Sequence, residues 1–193
     1  MRGGASYFVD ACAAARRLSA RDIAQLVRAP ITFAYVNAGH HLHRTHPTLE
    51  LAPPPPGAPD PLYSVALDPL DTAEGADAEV QRALAERITH INYSPPFQAP
   101  LPPDTPPQLF GALSRFAEQL ARPAARLTHT LAEGEAVLFD NRRVLHARTA
   151  FEDVESGGGE GETSRWLKGC YLEADALLDR RRVLLDQLSR PSS

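Results

Sequence analysis

Residues 134–148 constrain the fold of this chain more than any other segment, because two short apolar runs there are separated by a turn signal. The alternating positions are Val137 and Phe139 in the first run and Val144 and His146 in the second. Alternation with a period of two is typical of strands, and the Asp140-Asn141 pair between the runs is typical of a turn. The segment therefore predicts two strands with a histidine on the second, and Arg165 is predicted to open a further strand over residues 166–172.

The overall composition indicates a soluble globular protein, because 43% of the 193 residues are hydrophobic and the formal net charge is -4. We predict a single domain over residues 1–193. Charges of both signs are mixed along the chain, so no basic stripe favours a nucleic acid partner. The three arginines at 180–182 lie among acidic residues, and we expect them on a solvated helix face.

No apolar run is long enough to cross a bilayer, and the first 18 residues lack the apolar stretch of a signal peptide. We therefore expect no membrane partner and a cytoplasmic or mitochondrial location. Cys12 and Cys170 form no CxxC pattern, which argues against a disulfide scaffold or a thiol-redox motif and favours a reducing compartment.

Capping and periodicity signals predict the remaining elements. Asp10 and Ser19 are predicted to cap helices over residues 11–18 and 20–28. A third helix, capped by Asp104, is predicted to present Leu109, Phe110, Leu113, Phe116, Ala117 and Leu120 on one apolar face. A short helix is predicted over 78–86 and a closing helix over 173–188, and strands are predicted over 31–36, 62–67, 89–93 and around 127–131. The proline-rich residues 52–61 predict an extended surface loop.

The run Phe139-Asp140-Asn141-Arg142-Arg143-Val144-Leu145-His146-Ala147-Arg148 resembles a motif in the C-terminal half of the gamma-butyrobetaine and trimethyllysine dioxygenases. These are iron(II)- and 2-oxoglutarate-dependent oxidoreductases of carnitine biosynthesis. A weaker likeness covers Gly3-Gly4, Ile91-Asn92-Tyr93-Ser94 and the helix over 173–188. The resemblance implies a mainly β fold with flanking helices, namely a partial double-stranded β-helix (jelly-roll) barrel, although the pattern alone also fits other mixed α+β folds.

The resemblance also implies roles for individual residues. His146 would be the distal iron ligand, with Asp140 or a backbone carbonyl accepting from its other ring nitrogen. Arg165 would anchor the distal carboxylate of 2-oxoglutarate, and Arg148 is the alternative anchor. Tyr171 would form one wall of an aromatic cage for a trimethylammonium substrate, or simply pack in the barrel. Asn92 and Ser94 would lie near the oxo-acid.

The iron site that the resemblance implies is incomplete in this sequence. A non-haem iron site of this kind uses two histidines and one carboxylate, yet none of the seven histidines is followed two positions later by Asp or Glu. We therefore expect a truncated oxygenase, or alternatively an inactive fragment or barrel remnant that binds a partner. A sheet left with an unpaired edge would favour a homo-oligomer.

Four histidines cluster at positions 40, 41, 43 and 46. A zinc site normally needs spaced ligands on rigid elements, and no cysteine or carboxylate stands at a matching interval. The segment is therefore expected to be a solvated loop, and a metal binder without oxygenase chemistry is the alternative.

Overall fold

The computed structural model describes residues 2–3, 5–67, 77–149, 151–152 and 167–189, which belong to two compact units, Met1–Glu152 and Asp153–Ser193. The helices of the first unit are α1 (Ala11–Ala15), α2 (Ala20–Arg28), α3 (Asp77–Glu86) and α4 (Pro107–Ala121). The second unit contains α5 (Ala174–Ser189), and none of the residues of that helix is buried. These bounds confirm the predicted helix starts at residues 11 and 20 and the predicted helices over 78–86 and 173–188.

The strands of the first unit form small antiparallel sheets. They are β1 (Arg2–Gly3), β2 (Ser6–Asp10), β3 (Pro30–Asn37), β4 (His40–Pro47), β5 (Leu49–Leu51), β6 (Ile88–Ile91), β7 (Arg126–His129), β8 (Val144–Arg148) and β9 (Phe151–Glu152). The sheets are β1-β9, β7-β2-β8, β3-β4 and β5-β6. The prediction of antiparallel sheets with flanking helices is confirmed, whereas the described residues form no closed barrel.

The hydrophobic core lies where α1, α2, α3 and α4 pack together with β5 and β6. Its largest fully buried apolar side chains are Phe116, Ile23, Leu26, Leu49 and Leu84. The Ser19 side chain accepts a hydrogen bond from Asp22 N at 3.1 Å, which caps α2 as predicted. The carboxylate of Asp22 in turn binds the Arg115 guanidinium with both oxygens, and this pair joins α2 to α4.

Two predictions about element boundaries are wrong. Residues 62–67 form no strand, because Asp60 accepts a hydrogen bond from Leu62 N at 2.9 Å and starts a 3-10 turn, Pro61–Ser64. Asp104 does not cap α4; Pro106 occupies the N-cap position, without a side-chain hydrogen bond. Phe110 is 52% exposed, so it leaves the predicted apolar face, whereas Ala112 is fully buried.

Two further strand predictions and one loop prediction are wrong. The run at 137–139 is not a strand, because β2 already pairs with β7 on one edge and with β8 on the other. Residues 167–172 form no strand, and residue 166 lies outside the described residues. The histidine segment at 40–46 is not a loop, since it forms most of β4 and pairs with β3 along its full length.

Candidate functional site

His146 lies on an edge strand of the three-stranded sheet. β2 is central, and its Phe8 is opposite His146 on β8 and opposite Leu127 on β7. Because opposed residues of antiparallel strands share a face, these three side chains form one row. Arg148 lies two residues beyond His146 and therefore belongs to the same face. The sheet thus presents an imidazole and a guanidinium side by side.

Aromatic contacts hold the His146 ring. The centroid of the Phe139 ring lies 5.0 Å from that of His146 and 5.4 Å from that of Phe8. The His146 side chain remains exposed, and among the described residues its ring nitrogens make no hydrogen bond. One side of the imidazole is therefore packed, while its nitrogens are available to a ligand.

The turn before β8 is fixed by Asp10. The Arg143 guanidinium donates to Asp10 Oδ2 from Nη2 at 2.6 Å and from Nε at 3.1 Å. The other carboxylate oxygen of Asp10 accepts from Ala13 N at 3.0 Å and caps α1. The hydrogen bond from Arg143, more than any other contact, holds the pKa of Asp10 below its ordinary value. One carboxylate therefore joins the start of α1 to the residue immediately before the histidine strand.

Asp140 makes its hydrogen bonds within the turn before β8. Asp140 Oδ1 accepts from Arg142 N at 2.8 Å, and its backbone carbonyl accepts from Val144 N at 2.8 Å. Arg142 O accepts from Ile91 N at 2.8 Å, which connects the turn to β6. Asp140 thus shapes the turn, and its predicted contact with the His146 ring is not present.

Sequence reasoning missed a polar cluster centred on Glu50 of β5. Glu50 lies 3.5 Å from His90 Nδ1, 3.9 Å from His46 Nδ1 and 3.7 Å from Arg142 Nη2. Its Oε1 also accepts from Asn92 Nδ2 at 2.8 Å, and this hydrogen bond is the main reason that the pKa of Glu50 is lowered. The residues come from separate stretches of sequence, so no spacing signal could have revealed the cluster.

The cluster bears on the predicted roles of Asn92 and Ser94. The Asn92 amide nitrogen also donates to Pro47 O at 3.0 Å, so both of its hydrogens have protein acceptors. Only its amide oxygen is left for a ligand. Ser94 precedes the Pro95–Phe97 turn and makes no side-chain capping bond. Neither residue contacts His146, and their placement near an oxo-acid stays a prediction.

The structure leaves two of the predicted site residues untested and places a third. Arg165 lies outside the described residues, so its role as the carboxylate anchor stays a prediction. Tyr171 belongs to the second unit and is 87% exposed. Arg148 is the predicted anchor that the structure places on the face of His146.

The described residues do not fit a complete iron centre. Non-haem iron(II) is held by two histidines and a carboxylate, and the described part of the chain contains no group of three or more His, Cys, Asp or Glu that could hold a metal ion. His146 is a single side chain of a ligand type, and its role as an iron ligand stays a prediction. No helix among the described residues is long and apolar enough to span a membrane.

The amino-acid sequence of the chain is similar to a known family of dioxygenases. The family described as "Taurine catabolism dioxygenase TauD, TfdA family" matches residues 1–171, and the chain therefore belongs to that family. The resemblance to gamma-butyrobetaine and trimethyllysine dioxygenases is confirmed by the relatives.

Three relatives illustrate the sequence similarity of the chain to known dioxygenases. It is 44% identical over 188 residues to "Dioxygenase str8" of Strobilurus tenacellus, which covers 95% of this chain and 37% of that protein. It is 42% identical over 78 residues to the gamma-butyrobetaine dioxygenase of Pseudomonas sp. (strain AK-1), covering 40% of this chain and 18% of the relative. It is 33% identical over 97 residues to the mitochondrial trimethyllysine dioxygenase of Gallus gallus, which covers 50% of this chain and 21% of that relative. The chain thus spans well under half the length of these relatives.

Proposed function

We propose that this chain is part of an iron(II)- and 2-oxoglutarate-dependent dioxygenase and that His146 is one of its iron ligands. The observation that carries the proposal is the position of His146, whose exposed imidazole lies on β8 within the family motif and makes no hydrogen bond to a described residue. Neutral imidazole is a common ligand of iron, and a packed ring loses less freedom on binding. The contacts of Phe139 provide that packing.

In this proposal, the residues around His146 position its side chain. Asp10 and Arg143 fix the start of β8, and Phe8 and Phe139 orient the ring. Because the described residues supply one ligand rather than three, no catalytic step is assigned to them. Arg165, or alternatively Arg148, would bind the distal carboxylate of the oxo-acid through a bidentate guanidinium contact.

The substrate that we propose is a small trimethylammonium compound, with Tyr171 as part of its binding site. Support comes from the similarity to proteins named for gamma-butyrobetaine and trimethyllysine. An aromatic ring attracts a quaternary ammonium group through its π face, and the exposed Tyr171 ring is open to such a contact. A role in carnitine biosynthesis would follow from this substrate.

The proposal is tested in a chimera in which this chain replaces the matching 188-residue segment of Dioxygenase str8. We expect succinate release that requires iron(II), oxygen and 2-oxoglutarate and that is abolished by His146→Ala. The matched control is His129→Ala, which removes another exposed histidine of the same sheet. If the unsubstituted chimera is active and His146→Ala retains as much activity as the control, His146 is rejected as a ligand.

A second candidate is a family member that binds a partner without turnover. It is favoured by the lack of a three-ligand group among the described residues. The outer strands β7 and β8 and the 67% exposed Leu127 would offer a surface to such a partner. An inactive chimera that folds and retains iron would favour this candidate over the oxygenase.

A further inference from the structure

The β3-β4 hairpin brings two histidines together on one face. The register places His41 opposite Val36 and His43 opposite Ala34. Since side chains alternate across a strand, His41 and His43 share a face, whereas His40 belongs to the other face. The ring centroids of His41 and His43 are 6.4 Å apart.

The hairpin supplies the rigid element that an isolated loop would lack. Its two central turn residues, Ala38 and Gly39, have φ values of 49° and 81°, as a tight two-residue hairpin turn requires. The hydroxyl oxygens of Thr32 and Thr45 lie 2.8 Å apart across the strands. Ala99 N donates to Thr32 O at 2.9 Å and anchors the outer edge of β3. The two histidines are therefore held on a paired strand.

Both imidazoles are available to a ligand. Among the described residues, neither His41 nor His43 makes a hydrogen bond or an ion pair, and both are exposed. Their cross-strand neighbours Ala34 and Val36 are apolar and do not compete for the ring nitrogens. Arg44 lies opposite Phe33, on the other face, so its charge does not project toward the pair.

We propose that His41 and His43 form a two-histidine surface site for a divalent transition metal ion such as copper(II) or zinc(II). A metal ion binds each imidazole nitrogen at about 2.0–2.1 Å, so the two nitrogens must come within roughly 4 Å of each other. Rotation of two exposed rings whose centroids are 6.4 Å apart achieves this. Copper(II) should bind most tightly of the divalent ions, and water would complete its coordination.

This site is separate from His146 and does not rest on the proposed oxygenase function. The test titrates the 193-residue chain, in a His146→Ala background, with copper(II) chloride, followed by calorimetry and electron paramagnetic resonance. His41→Asn and His43→Asn should each weaken copper binding by about tenfold or more. His40→Asn is the matched control, because it removes a neighbouring imidazole from the opposite face and should leave the affinity unchanged.

A gain-of-function variant tests the same geometry in the other direction. Val36→His would place a third imidazole opposite His41, with Cβ atoms about 4.5–5.5 Å apart, and should tighten copper binding by about tenfold or more. Circular dichroism would show that each variant keeps its fold. The proposal is overturned if affinity survives either asparagine substitution, falls equally with His40→Asn, or is unchanged by Val36→His.

Discussion

Replacing Asp10 should destabilise the first unit through two separate contacts. Asp10→Ala removes the cap of α1, in which Oδ1 accepts from Ala13 N at 3.0 Å, and such a cap is worth about 1 kcal/mol. It also removes the pairing of Oδ2 with Arg143. The two side chains are 37% and 54% exposed, so solvent screens the pair and its contribution is smaller than that of the cap. We expect a total loss of about 1–2 kcal/mol.

Two matched variants distinguish the effect of the α1 cap from that of the ion pair with Arg143. Asp10→Asn retains a good N-cap residue but loses the charge that pairs with Arg143, and Arg143→Gln removes the pair while leaving the cap. Both should cost less than Asp10→Ala costs, because solvent screens the exposed ion pair. Urea unfolding followed by circular dichroism at pH 7 would measure each free energy of unfolding.

The pH dependence provides an internal check. The folded-state pKa of Asp10 is lowered, chiefly by Arg143, so its contribution is present above the pKa of the unfolded carboxyl, about 3.9. That contribution is lost as the pH falls through the folded-state value. The stability difference between the wild type and Asp10→Asn should therefore shrink in acid. The reasoning is refuted if Asp10→Asn costs as much as Asp10→Ala, or if the difference does not depend on pH.

Further predictions concern the core, the Glu50 cluster and the oxo-acid. Phe116→Ala should lower the free energy of unfolding in urea by about 3–5 kcal/mol, because the Phe116 ring is fully buried and its centroid lies 5.3 Å from that of Tyr93. Phe110→Ala, at an exposed ring, is the control, and an equal loss in both variants would contradict this prediction. Glu50→Gln should lower the free energy of unfolding at pH 7, and its difference from the wild type should close as the pH falls through the lowered pKa of Glu50. A difference that stays constant with pH would exclude the ionisation of Glu50 as the cause. In the str8 chimera, Arg165→Lys should weaken 2-oxoglutarate more than the amine substrate; the same selective effect from Arg148→Lys instead would transfer the anchor role to that residue.

Local signals predicted local structure well. Asp10 and Ser19 precede apolar runs, and both side chains accept the predicted type of hydrogen bond from the first turn of a helix. The proline-rich residues 52–61 form no strand, as their missing backbone donors predicted. The strand that carries His146 was likewise readable from alternation, because its period of two is a property of the backbone itself.

Contacts between distant segments could not be predicted in this way. Glu50 meets His90 and Arg142 only because β5, β6 and the turn before β8 converge, and no short-range pattern encodes that convergence. The histidine segment is predicted to be a solvated loop because it lacks the spaced partners of a metal site. Its eight-residue pairing with β3 is a contact between segments that this pattern does not reveal. Similarly, the apolar run at 137–139 suggested a strand, although both edges of β2 have other partners.

The most direct test of the central claim is a crystal structure of the str8 chimera, prepared without oxygen and loaded with iron(II) and 2-oxoglutarate. The account predicts that a ring nitrogen of His146 lies at a bonding distance from the metal, roughly 2.0–2.1 Å as in zinc–imidazole bonds. The ring should still pack against Phe139, as it does in the described structure. An iron ion held entirely by other residues, with His146 outside its coordination sphere, would contradict the account.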